Sequence, residues 1–173
     1  MPEEIQTILV VDDHPLMRKG ILQLIAMESS LRLVGEAGDG ERGLALALRE
    51  RPDLILLDLN MRGLSGLDML KALKATDLDS RVIVLTFSDS EEDVAAALRS
   101  GADGYLIKDM EPEEVLHSLK IAAEGRIVLG ERVAKILADA LRHESQSKPA
   151  DSVQFTGRER EILALIAVGY SNK

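Results

Sequence analysis

The sequence predicts an α/β fold: a five-stranded parallel sheet in the order 2-1-3-4-5 with helices on its faces, then a linker carrying one helix, then the start of a separate helical domain. Three observations predict it. Short apolar runs alternate five times with amphipathic stretches, the pattern of strand–helix–strand units joined by right-handed crossovers. Three of the five runs are unbroken in Val, Ile and Leu, as strands covered on both faces require. The chain is also long enough: its 173 residues, 46% hydrophobic and 29% charged, should bury roughly 70% of the unfolded surface without cross-links.

Taken in order, the first strand is 8–11 and its helix 15–28. The second strand, 31–34, is interrupted by Arg32, which suits a sheet edge, and a helix follows over 40–50. The third strand is 54–57. Its helix, 65–76, opens on Ser65 with Asp68 three residues on, a capping pair; Ser90 and Asp93 repeat that signal for the helix 90–100 after strand four, 82–85. The fifth run, 104–107, is short and is expected at the other edge, with Tyr105 half-buried there and a helix over 111–124. Gly101 and Gly125 stand where helices end. Beyond Gly125 a short apolar stretch, 126–129, precedes a helix over 131–143 with the stripe Val133, Ile136, Leu137, Ala140 and Leu141. The polar run 143–152 reads as a linker, and Thr156-Gly-Arg-Glu159 is a capping box for a last helix burying Ile162, Leu163, Leu165 and Ile166. The implied division is 1–125, 126–154 and 155–173.

Composition removes several function classes. With no cysteine, disulfides, thiolate metal sites and cysteine nucleophiles are excluded. No apolar run reaches the roughly 18 residues of a membrane span, and the acidic start, Met-Pro-Glu-Glu, lacks a signal peptide's basic and apolar regions, so the cytoplasm is the expected location. The net charge of −9 is uneven: residues 1–125 carry −11 and residues 126–173 carry +2. The first part would repel nucleic acid, so two different jobs are implied.

The informative polar residues stand at strand ends. Asp12 and Asp13 follow the first strand, Asp58 the third, Thr86 the fourth and Lys108 the fifth. Open parallel sheets bind ligands beyond the carboxyl ends of their strands, at the point where strand order reverses, here between strands one and three. Three carboxylates meeting there repel one another, and a hard divalent cation such as Mg²⁺ resolves the repulsion. With Lys108 and the Thr86 hydroxyl beside them, the set suits phosphoryl transfer to an aspartate, Asp58 being the nucleophile. Each residue alone has an ordinary explanation: helix capping for the Asp pair, a turn for Asp58, surface positions for Thr86 and Lys108. His14 reads as a structural residue near a helix start. The conjunction at four strand ends is what points to chemistry.

The segments Val10-Val-Asp-Asp-His-Pro15, Asp53-Leu-Ile-Leu-Leu-Asp-Leu-Asn-Met61 and Gly101-Ala-Asp-Gly-Tyr-Leu-Ile-Lys108 resemble the CheY-like, flavodoxin-like receiver domain of two-component response regulators over about residues 6–125. That resemblance implies phosphorylation of Asp58 by a sensor histidine kinase. It also implies Mg²⁺ held by Asp13, Asp58 and the backbone carbonyl of Asn60, with Asp12 assisting through water, and a switch in which Thr86 moves toward the phosphoryl group and Tyr105 turns inward. Phe155-Thr-Gly-Arg-Glu-Arg-Glu-Ile-Leu163 and the residues after it resemble the opening of a LuxR-type helix-turn-helix, so the whole is similar to the NarL/FixJ family. The segments at Asn60-Met61 and Lys108-Asp-Met-Glu-Pro112 resemble its nitrate- and nitrite-responsive members. The implied function is a phosphorylation-controlled transcription regulator that dimerises when phosphorylated. Two departures stand out: Arg62 replaces the family's usual proline, and the later DNA-binding helices are absent, so this chain is not expected to bind DNA specifically. The competing readings are a Mg²⁺-dependent phosphatase with an aspartyl-phosphate intermediate, which would want its nucleophile after strand one, and a flavodoxin-like FMN binder, which Asp12-Asp13 at the phosphate turn disfavours.

Overall fold

The computed structural model describes residues 4–147. They form one parallel sheet in the order β2-β1-β3-β4-β5-β6. Its elements run β1 (Gln6–Val11), α1 (Pro15–Ala26), β2 (Leu31–Ala37), α2 (Gly40–Glu50), β3 (Leu54–Leu57), α3 (Gly66–Lys74), β4 (Arg81–Thr86), α4 (Glu91–Arg99), β5 (Gly104–Ile107), α5 (Pro112–Ala123), β6 (Val128–Leu129) and α6 (Glu131–Ser147).

The period of two along each strand divides the core. Ile8, Val10, Leu54, Leu56, Ile83, Leu85 and Leu106 face α1 and α5, which bring Ile21, Ile25, Val115 and Leu119. Leu9, Val11, Ile55, Leu57, Val82, Val84 and Tyr105 face the other way, onto Ala47, Met69, Leu70, Val94, Leu98, Val133 and Leu137 of α2, α3, α4 and α6. Runs that looked uniformly apolar serve two separate cores. The Ser65 and Ser90 hydroxyls accept from the Asp68 and Asp93 amides, as their sequence signals predict. Gly101 and Gly125 close α4 and α5 with φ of +104° and +93°, a region in which a side chain would be strained.

The five-stranded expectation needs correction. Val128 N–H donates to the Asp103 carbonyl at 3.1 Å and Gly130 N–H to that of Tyr105 at 3.2 Å, so a sixth parallel strand lies outside β5. Two residues are too few to display a hydrophobic period, which hides the strand in sequence. Behind it the α6 stripe folds back onto the sheet, burying Val133 and Leu137. Tyr105 is therefore fully buried rather than half-buried at an edge. The true edge on the other side, β2, runs three residues further than its apolar run, through Gly35, Glu36 and Ala37, after a register shift between Ile8 and Leu9. The helix α6 also extends beyond 143, to Ser147. The expected helix after Thr156 and the helix-turn-helix resemblance lie outside the described residues. Among the described residues no helix is long and apolar enough to cross a membrane.

Candidate functional site

Backbone hydrogen bonding continues one residue past each central strand and fixes the polar residues there. Asp12 N–H donates to the Ala37 carbonyl at 3.0 Å, Asp58 N–H to that of Val11 at 3.0 Å, and Lys108 N–H to that of Thr86 at 2.8 Å. The residues that carry charge are thus held by the sheet itself and not by mobile loops. The start of α3 adds to the rigidity: a methyl group on Gly66 would lie 2.1 Å from the Asp58 carbonyl oxygen, so helix and strand end meet as closely as backbone allows.

Asp12 and Asp58 are buried, and Lys108 lies between them, its Nζ 2.8 Å from Asp12 Oδ2 and 3.1 Å from Asp58 Oδ2. Asp13 approaches the same point from β1 and is partly open to solvent. The His14 ring joins them. Its Nδ1 is 3.1 Å from Asp12 Oδ1, 3.1 Å from Asp13 Oδ1 and 3.3 Å from Asp58 Oδ2. His14 occupies the position before α1, as its sequence place implies, but its side chain makes no capping bond there and turns to the carboxylates instead. One lysine faces three carboxylates, and the negative charge is in excess.

A divalent cation fits this arrangement. One ligand atom each from Asp12, Asp13, His14 and Asp58 lie within 4.8 Å of one another, and the carboxylate oxygens are the hard donors that Mg²⁺ takes. Asp13 Oδ1 is buried and accepts no hydrogen bond, its near contact being His14 Nδ1 at 3.1 Å, which leaves it able to complete the shell of a cation.

Around the carboxylates sits a second group of contacts. Thr86 Oγ1 is buried and accepts from Asn60 Nδ2 at 3.3 Å and from Ser88 N–H at 3.4 Å. The Tyr105 hydroxyl donates to the Ser88 carbonyl at 2.9 Å, and Ser88 Oγ bonds Asp93. Burial pushes the Tyr105 phenol up to about 12, with the Ser88 bond acting in the opposite sense and Asp93, Asp89 and Asp58 adding to the rise. Phe87 projects into solvent with Lys108 Nζ 5.2 Å from its ring centre.

Asp12, Asp13, Asp58, Thr86 and Lys108 are all brought to one rim, as their strand positions imply, and Tyr105 lies one layer behind. The contacts with no clear trace in the sequence are the His14 ring, the Asn60 amide on Thr86, and Arg132 of α6, which bonds Asp89 and Asp109 in the loops after β4 and β5. Arg62 is exposed beside Gly63.

Residues 8–120 match the response regulator receiver domain family. The chain is 50% identical over 171 residues to the nitrate/nitrite response regulator protein NarL of Escherichia coli (strain K12), covering 99% of this chain and 79% of that one. It is 43% identical to the nitrate/nitrite response regulator protein NarP of the same strain, covering 96% and 77%. Among solved structures, it is similar to the signal receiver domain of the response regulator NarL from Mycobacterium tuberculosis, with a TM-score of 0.69 and 36% identity over 71% of this chain and 99% of that one.

Proposed function

Because this chain belongs to the response regulator receiver domain family and is similar over nearly its whole length to nitrate/nitrite response regulators, we propose that Asp58 is its phosphoacceptor, supplied by a sensor histidine kinase. The observation that carries the reading is the surplus of carboxylate at the rim, Asp58 sharing Lys108 with Asp12 while Asp13 Oδ1 accepts no hydrogen bond.

An Asp58 carboxylate oxygen attacks phosphorus; the new P–O bond forms as the donor's bond to phosphorus breaks, and the leaving group departs with that electron pair. A carboxylate needs no general base for this step. Lys108, already in contact with Asp58, stays beside the phosphoryl oxygens and offsets their charge. The Thr86 hydroxyl, which now accepts two hydrogen bonds, keeps its own proton to donate to the phosphoryl group. Asp13, Asp58 and the Asn60 carbonyl would hold Mg²⁺, with Asp12 acting through water. Bound there, the ion supplies charge neutralisation and orientation of the incoming group.

Residues 1–125 then act as the receiver, 126–154 as the connection, and 155–173 as the beginning of a LuxR-type DNA-binding domain. The output of the switch is transcription control in response to nitrate or nitrite, with dimerisation on phosphorylation. The phosphatase alternative gains nothing from the comparisons, whose matched proteins carry response-regulator names. Incubation with a small acyl phosphate and Mg²⁺, followed by intact mass, is expected to add one phosphoryl group to the native chain and none to Asp58→Asn. Labelling of Asp58→Asn to the native extent overturns the assignment, and steady turnover of a phosphomonoester would restore the phosphatase.

A further inference from the structure

In the first turn of α6, Arg132 bonds two loops at once. Arg132 Nη1 donates to Asp109 Oδ2 at 2.9 Å, and Nη2 donates to Asp89 Oδ2. Asp109 follows Lys108 directly, and Asp89 comes three residues after Thr86. The two carboxylates therefore sit on the loops after β5 and β4: the former opens on Lys108, which bonds Asp58, and the latter follows Thr86, which accepts from Asn60. Next to Asp89, the Ser88 carbonyl receives the Tyr105 hydroxyl, and the Ser88 amide bonds Thr86 Oγ1. On α6, the adjacent Val133 and, five residues on from Arg132, Leu137 are buried against the core. From α6 the chain continues to residues 148–173.

We infer that Arg132 is a clasp through which α6 reads the state of Asp58. The inference rests on the phosphoacceptor reading above and adds the route by which the site's state reaches the last described helix. A guanidinium is a rigid planar fork, so it bonds both carboxylates only while the two loops keep their present spacing. A phosphoryl group on Asp58 brings about −1.5 to −2 of charge and draws on the Thr86 hydroxyl and the Lys108 ammonium. Thr86 cannot turn to it without changing the bonds from Asn60 and Ser88, and Asp89 lies on that same short segment. The fork then loses one prong. Arg132, Asp89 and Asp109 are each about half exposed, so the clasp biases the docking of α6, while the burial of Val133 and Leu137 holds the helix. This makes Arg132 a positioning residue that acts through the loops.

The test is amide exchange at residues 134–137 of the full chain, measured by NMR with and without beryllofluoride and Mg²⁺. In the native chain the mimic should lower protection there by about two- to fivefold, the scale of an exposed ion pair. Arg132→Ala should already show the lowered protection without the mimic and change little when it is added. Arg132→Lys, which keeps the charge but not the fork, should fall between. If the resonances of Asp58, Thr86 and Lys108 do not move on addition of the mimic, the phosphoacceptor reading fails and takes this inference with it. If they move while protection at 134–137 is unchanged in the native chain, or if Arg132→Ala responds as the native chain does, the clasp alone is wrong.

Discussion

Two lysine–carboxylate pairs occupy opposite rims of the sheet, and they are built to different rules. At the amino ends of the strands, Lys74 Nζ bonds Asp103 Oδ2 at 3.0 Å, and the same oxygen accepts the Val82 amide at 2.8 Å. A cation and a backbone amide share one carboxylate oxygen there, and that oxygen anchors the start of β4. At the carboxyl ends, Lys108 is shared by Asp12 and Asp58, and Asp13 adds a third carboxylate whose buried oxygen accepts no hydrogen bond. Both pairs look alike in a list of contacts. Their difference lies in crowding: the first pair ties α3 to the start of β4, and the second gathers three carboxylates around one lysine.

Replacing each lysine separates the two rules most sharply. Lys108→Ala is expected to slow phosphorylation by a small acyl phosphate about 10²-fold or more, the usual cost of removing one charge-stabilising group. Lys74→Ala should leave that rate within about twofold, since it stands at the far rim. Equal losses in the two variants would dissolve the distinction. The next effect is on stability. Asp103→Ala strands both the Lys74 ammonium and the Val82 amide and should cost about 1–3 kcal/mol in urea denaturation. A loss within experimental error would remove the structural tie.

Asp13→Asn reverses the sign. Taking one charge from the crowded rim should stabilise the metal-free chain by about 1 kcal/mol, the scale of a single charge contact at 4 Å. The same change should abolish most of the rise in melting temperature that Mg²⁺ gives the native protein. A destabilised variant that still responds fully to Mg²⁺ would place the cation elsewhere. The smallest effect concerns Tyr105, behind the rim. Its phenol, pushed up to about 12, stays protonated where an unfolded tyrosine ionises near 10. Stability from this group is fully present below pH 10 and is lost as pH rises from there toward 12. Absorbance titration in a Tyr170→Phe background, where Tyr105 alone reports, should show its phenolate only near the upper value. Ionisation near 10 would mean that the buried position is not kept in solution.

Most of the rim was legible in the sequence because it is written at strand ends. Apolar runs, three of them unbroken and the short fifth one, mark where β1, β3, β4 and β5 stop, and a parallel sheet puts those stops side by side, so Asp12, Asp13, Asp58, Thr86 and Lys108 could be placed together without coordinates. What escaped belongs to side chains and to weak elements. His14 reads as a residue before a helix, and nothing in its neighbours tells that its ring turns back onto the carboxylates. Asn60 was expected to act through its backbone, and its side-chain amide on Thr86 depends on a rotamer. Arg132 meets Asp89, 43 residues away, only because β6 returns the chain to the sheet. The strand β6 itself is two residues long, and β2 continues through Gly35 and Glu36, residues that favour strands poorly; pairing with β1 decides its length.

The small strand β6 also decides where this polypeptide can be trimmed. A fragment ended at 125 would leave the outer side of β5 unpaired and uncover the surface that Val128, Val133 and Leu137 now close, an apolar flank beside an open strand, which invites self-association. A fragment carried through α6 keeps that flank shut. For binding screens or labelling studies, the useful minimal piece ends after the helix, and its solubility relative to the shorter one measures what two residues of sheet contribute.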